Sequence, residues 1–284
     1  MSASAALAFF CALALFVALG LAGPTAWVAM RRARIVRRPF PERWRQVLRA
    51  QMPLYVELSG ATRLRLEQRI QVLLAEVPFV GCGGLGVSDE MRVLIAAQAA
   101  LLLLERGFGF SALREVLLYP SHFVVDRPEP GAGGVMHESR RVLAGESWQR
   151  GQVVLAWDAV LAGAADPHDG ANVVIHEFAH QLDQETGRAN GAPFLGGGGA
   201  RGAHVRRRRQ QRWAQVMNTE YQALQRRLAL GESGLIDPYA ATDPAEFFAV
   251  VSETFFERPD ALAQQHPALF EEMQRCYRLD PRQW

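Results

Sequence analysis

Between residues 42 and 76, apolar positions recur at helical spacing, through Leu64, Leu66, Ile70, Val72 and Leu73 among Arg and Glu. This predicts one helix across the stretch. A Gly-rich turn follows at 78–87. Ser88 and Asp89 then offer N-caps to a run from Val93 to Leu104 that is almost wholly apolar. That run is too short to span a bilayer and is expected as a buried core helix. Short β-like runs come next, at 116–119 and 123–125, followed by a Pro- and Gly-rich loop at 127–134. Residues 151–157 read as a further strand. Helical patterning returns near Asn172 and runs to about Gln184, then gives way to a Gly-rich loop at 187–202. It resumes from His204 to Leu230, stops at Gly231, and restarts after Asp243-Pro244 as Ala245 to Phe256. No repeat of fixed period is visible. The class is α+β, mostly helical, with a small sheet.

One segment stands apart from this pattern. Residues 1–30 carry no charged side chain, and Arg31, Arg32, Arg34, Arg37 and Arg38 follow at once. The apolar stretch exceeds the ~20 residues that cross a bilayer, and Trp27 falls where an interfacial aromatic belongs. A cleaved signal peptide would carry its charge before the apolar core, whereas here the charge follows it. The expectation is therefore a transmembrane anchor over 1–30, a basic juxtamembrane linker over 31–41, and a domain over 42–284. The arginines place that domain on the cytoplasmic side of an inner membrane, in a single-pass topology. The alternative is a soluble cytoplasmic protein with an apolar tail packed on its own surface.

Composition narrows the chemistry. All 31 basic residues of the 284 are Arg, so Schiff-base and P-loop lysine chemistry is excluded. Formal net charge is only +2, so no direct nucleic-acid partner is expected. Three cysteines, Cys11, Cys82 and Cys276, lie far apart with no CxxC spacing, which argues against a disulfide scaffold. Cys82, within Gly81-Cys82-Gly83-Gly84, has no nucleophile signature around it and is expected as a buried small apolar residue.

The chemistry-bearing pattern is His176-Glu177-Phe178-Ala179-His180, an H-E-x-x-H motif preceded by Val173, Val174 and Ile175 and followed by Leu182. One helical turn separates the histidines, which puts both imidazoles on one face, able to grip one Zn²⁺. Glu177 sits beside them as a candidate general base. A metzincin would need a third histidine at position 186, which is Thr. A distant Glu on a later helix is the remaining common solution. The apolar stretch 239–256 offers Glu246 and Glu253, seven residues apart on one face, and spacing alone does not choose between them.

These residues, His176 to Asp183 together with Tyr239 to Phe256, resemble the Mlc titration factor A family of zinc peptidases. That family is similar in catalytic core to the C-terminal domain of anthrax lethal factor. The resemblance extends to Gly81-Cys82-Gly83-Gly84-Leu85, Asp89-Glu90-Met91-Arg92, Gly145-Glu146-Ser147-Trp148 and Val153 to Asp158, and so covers roughly residues 42–280. It implies a gluzincin-type core with one zinc per chain held by His176, His180 and Glu246. Glu177 would be the general base, and Tyr239 would help hold the oxyanion. Glu253 becomes a carboxylate that orients a ligand histidine. Asp183 is a second such candidate, or else a solvated helix-end carboxylate. The strand at 152–157 is expected as the edge on which an extended peptide substrate pairs.

The resemblance further implies peptide-bond hydrolysis of an aminopeptidase-like kind on peptide or protein substrates. It also implies a possible regulatory partner, an Mlc-like transcriptional repressor captured independently of catalysis. Two features fall outside it: the N-terminal anchor, and an insert at 191–209 that ends in Arg206 to Arg209. That arginine run reads as a solvated helix start.

Overall fold

The computed structural model describes residues 23, 25–121, 123–130, 136–143, 145–148, 151–187, 189–195 and 202–284, with backbone alone for 123–130, 136–143 and 146–148. Contacts divide the chain after Phe40. The first unit contains a helix over residues 25–36, α1, on which Trp27 is exposed and Arg31 stands over its ring. Most of the anchor expected over 1–30 lies outside the described residues. Among those described, no helix is long and apolar enough to cross a membrane.

The second unit begins with three helices where the periodicity predicts one: α2 (Glu42–Gln51), α3 (Pro53–Glu57) and α4 (Gly60–Glu76). Pro53 has no N–H to continue α2 and instead opens α3 from its first position. Ser59 then caps α4, its hydroxyl accepting from the Thr62 N–H at 3.4 Å. Buried Glu67 ties the pieces together. It accepts from Arg45 Nε and Nη2 at 2.8 and 2.9 Å, and from the Tyr55 hydroxyl at 2.6 Å. Of the periodic apolar positions Leu66, Ile70, Val72 and Leu73 are buried, while Leu64 is exposed.

Strand β1 (Phe79–Gly81) leads to α5 (Asp89–Leu101), capped by Ser88, whose residues from Val93 to Leu101 are all buried. Strand β2 (Glu115–Tyr119) follows, then a hairpin of β3 (Phe123–Pro130) and β4 (Met136–Leu143), then β5 (Gly145–Trp148) and β6 (Gln152–Ala156). Of the Pro- and Gly-rich segment expected as loop over 127–134, residues 127–130 instead lie in β3, which pairs antiparallel with β4, Phe123 opposite Leu143; residues 131–134 lie outside the described residues. Proline removes a donor but is tolerated where a strand has only one neighbour, which is the position of β3 in this two-stranded pair.

The main sheet has the order β1-β2-β6-β5, parallel from β1 through β6 and antiparallel between β6 and β5. This corrects the expectation for residues 152–157. Their strand is interior, paired on both sides, and β5 is the edge next to it. An all-apolar run reads as a buried strand but carries no record of how many neighbours it has. Cys82, expected to be buried, is half-buried, and its N–H donates to Leu118 O at 2.8 Å.

The remaining helices are α6 (Trp157–Ala165), α7 (Val173–Asp183), α8 (Ala203–Ala229), α9 (Pro244–Glu257), α10 (Pro259–Gln265) and α11 (Pro267–Tyr277). Helix α7 packs against β5, β6, α5, α6 and α9. Helix α9 is buried from Phe247 to its end. Its Phe247, Phe248 and Phe255 each contribute roughly 1.5–3 kcal/mol of burial. The H-E-x-x-H motif and the second acidic segment thus meet as two packed helices inside the core.

Candidate metal centre

Two caps set the register of the site. Asn172 opens α7 by accepting from the Ile175 N–H at 3.0 Å, which places His176 and His180 on successive turns. Asp243 opens α9 by accepting from the N–H groups of Ala245 and Glu246 at 2.8 and 3.0 Å, with Pro244 at the first helical position. Glu246 is held in the first turn of α9, facing α7.

There the donors converge. Glu246 Oε2 stands 2.9 Å from His176 Nε2 and 3.4 Å from His180 Nε2. The ligand atoms of His176, His180 and Glu246 all lie within 4.8 Å of one another, and these three can hold a metal ion. The imidazoles meet edge to face, with ring centroids 5.0 Å apart. Glu253 approaches the opposite side of the first ring, its Oε1 2.7 Å from His176 Nδ1. The two carboxylates that sequence spacing could not separate therefore address different nitrogens of one histidine.

Two of the glutamates around the histidines, Glu246 and Glu177, are driven in opposite directions. Glu246 would be raised by burial, but its hydrogen bonds to His176 and His180 dominate and hold it well below the ordinary carboxylate range. Burial also pulls the His176 ring down, yet its bonds to Glu246 and Glu253 raise it well above the usual value. Glu177, 5% exposed, is pushed up to about 7 by burial, against the attraction of both histidines. Its Oε2 has no hydrogen-bond partner among the described residues. An unpartnered buried carboxylate oxygen is costly in a purely structural role, and it marks a place where a bound group completes the site.

Gly145 explains how close the sheet comes. A Cβ there would meet Glu177 Cγ and Oε1 at 2.8 Å and Val173 Cγ2 at 2.6 Å, so only glycine lets the edge strand β5 run against the motif helix. Tyr239 lies in a short 3₁₀ turn, 238–241, ahead of α9. It is 47% exposed, with its ring centroid 6.0 Å from that of His176.

Asp183 is not a solvated helix-end carboxylate; its exposure is 0%. Its oxygens are held by the loop that follows. They accept the backbone N–H groups of Asn190, Gly191 and Ala192 at 2.7, 2.6 and 2.8 Å. The loop so held packs Gly191 (φ 75°) against Pro244, where a Cβ would meet the carbonyl oxygen at 2.3 Å. Trp213 Nε1 of α8 donates to Gly191 O at 2.8 Å.

Two residues of the site escaped the sequence reading. Asn172, besides capping α7, gives its N–H to Glu253 Oε2 at 2.5 Å and its Nδ2 to Glu257 Oε1 at 3.0 Å. Glu257 is pushed up to about 8, chiefly by burial. Its signal was present: a third carboxylate one turn beyond Glu253 on the same apolar helix.

A pair of histidines one turn apart, a glutamate delivered from a second buried helix and an unpartnered carboxylate beside them define a metallopeptidase-type centre. Comparison with known sequences agrees with that class. The chain belongs to the family described as glucose-regulated metallo-peptidase M90, whose model matches residues 27–278, and it is a metallopeptidase by that membership. It is 41% identical over 257 residues to an uncharacterized protein of Synechocystis, covering 90% of each chain. It is 37% identical over 238 residues to Mlc titration factor A of Salmonella agona, covering 82% of this chain and 84% of that one. With Mlc titration factor A of Klebsiella pneumoniae the identity is 36% over 244 residues, 84% and 86% of the two chains.

Proposed function

We propose that this protein is a zinc-dependent peptidase of the gluzincin type, with His176, His180 and Glu246 as ligands. The observation that carries the reading is the convergence of those three donors beside the unpartnered Glu177 oxygen. The observed donor separations of 2.9 and 3.4 Å suit a tetrahedral zinc site, whose ligand atoms stand ~3.3 Å apart for bonds of ~2.0–2.1 Å. When bound, zinc supplies Lewis acidity, polarising the scissile carbonyl and lowering the pKa of a water towards ~7.

The residues do the rest. Glu177, poised near neutrality, accepts the proton of the attacking water and returns it to the leaving amine. Tyr239 donates its hydroxyl hydrogen to the oxygen on which negative charge develops. Glu253 fixes the tautomer and orientation of His176 through Nδ1. An extended peptide lies along β5, the edge of the sheet beside Glu177.

Chelation should abolish cleavage of a small peptide panel, and equimolar zinc should restore it. Cleavage that persists after the metal is stripped and shown absent would refute the reading. Tyr239→Phe should lower kcat by ~10–10³-fold with little change in KM, because its bond strengthens only as charge develops.

The name of the Salmonella and Klebsiella relatives suggests a regulatory partner as well, an Mlc-like repressor. Capture of such a partner that persists in Glu177→Gln would separate binding from catalysis. We further propose that residues 1–30 anchor the domain to the cytoplasmic face of the inner membrane, on the strength of the uncharged run and the five arginines after it. A reporter fused after Trp284 should be active only as a cytoplasmic reporter, and mature protein starting near residue 24 in the periplasm would overturn that topology.

A further inference from the structure

We propose that the cleft between α8 and α11 is a binding site for a small molecule carrying two or more phosphate groups. It encloses about 720 Å³, within the range of small-ligand sites, and no residue of the metal centre lines it. On one wall Arg208, Arg209 and Arg212 form a stripe at helical spacing along α8. On the other stand Glu272 and Arg275 of α11, with Arg278 just past its end.

The charges are unevenly matched. Glu272 takes Arg212 Nε at 2.6 Å and Arg275 Nη1 at 2.5 Å, and Glu271 takes the same two arginines at 2.8 and 3.0 Å. These pairs brace the walls. Arg208, Arg209 and Arg278 have no ion-pair partner among the described residues.

The placement works against the isolated protein. Arg208 and Arg212 are like charges one turn apart. Arg206 to Arg209 lie in the opening turns of α8, towards the positive end of the helix, and its first turn holds no acidic residue. Arg278 is the one non-glycine residue with positive φ (61°) among those described. Glycine would take that left-handed position more easily, so the guanidinium is kept there against a backbone cost. An anion in the cleft offsets the two charge terms.

The shape and donors select the ligand. Arginine forks match phosphate oxygens in pairs. A concave site does not fit a planar membrane, and no aromatic side chain among the described lining residues offers a base a stacking surface. Leu195 and Val205 supply an apolar patch for a carbon frame. None of this depends on the peptidase reading.

Calorimetric titration of the full-length protein with fructose 1,6-bisphosphate tests the site, at fixed ionic strength and against fructose and inorganic phosphate. Saturable binding of one bisphosphate per chain is expected, with fructose silent and inorganic phosphate weaker. The double variant Arg208→Ala, Arg209→Ala should bind at least ~10-fold more weakly. So should Arg278→Gly, which keeps the left-handed backbone and so should keep the fold. Arg49→Ala, on α2, should bind as the wild type does. No binding, or equal affinity in all variants, would overturn the proposal. So would a Glu-rich peptide that binds where the bisphosphate does not, because the cleft would then serve an acidic protein segment.

Discussion

Buried carboxylates lie at both ends of α7, and they do different work because different groups donate to them. At the N-terminal end Glu253 receives an imidazole nitrogen and the Asn172 N–H, with Glu257 behind it. At the C-terminal end Asp183 receives three backbone N–H groups. The first cluster acts on a candidate metal ligand. The second fixes a loop, and through Gly191 and Trp213 it ties α7 to α9 and α8. All are buried carboxylates, so the identity of the donor decides the role.

Breaking the loop anchor should have the largest effect on the fold. Asp183→Ala leaves the buried Gly191 N–H without its acceptor, at ~1–3 kcal/mol, and takes one partner from the exposed Asn190 and Ala192, the latter still donating to Asn190 Oδ1. Denaturant unfolding should show a loss of about 1–3 kcal/mol, while zinc affinity per folded molecule changes little. Glu253→Ala should do the reverse. Zinc competition should show affinity lower by ~10–100-fold, with a smaller change in stability. Equal effects of the two substitutions on metal and on stability would collapse the distinction between the two ends.

The smallest expected effect lies in pH dependence at Glu257. Its folded value of about 8 stands above the ordinary 4.5, so the folded protein retains a proton that the unfolded chain releases. The stability from this group is fully present below about pH 4.5 and is lost as pH rises through about 8. Glu257→Gln should flatten that loss, seen as a smaller drop in Tm between pH 5 and pH 8.5 than in the wild type.

What the sequence revealed and what it hid follow the range of each interaction. His176 and His180 were legible because their geometry is set within one turn of a capped helix. Spacing could not choose between Glu246 and Glu253, since both face α7 and touch the same histidine, through Nε2 and Nδ1. Strand neighbours are long-range facts, so residues 152–156 read as a strand without showing that β5 lies outside it. The end of β3 at 127–130 was hidden because its prolines mask strand alternation. Asp183 read as either an orienting carboxylate or a solvated helix end, since the loop that buries it lies seven to nine residues on. The arginines at 206–209 were visible as charge, but the facing Arg275 and Arg278 arrive from a distant helix.

In the proposed reaction Glu177 would touch the chemistry without serving as a ligand, so it separates hydrolysis from metal binding. Glu177→Gln keeps the shape of the side chain, so wild type and variant can be compared at equal, measured zinc content. The decisive measurement is kcat on a peptide the wild type cleaves. The account predicts a fall of ~10²-fold or more with zinc content and Tm nearly unchanged. An unchanged kcat at full zinc occupancy would contradict it.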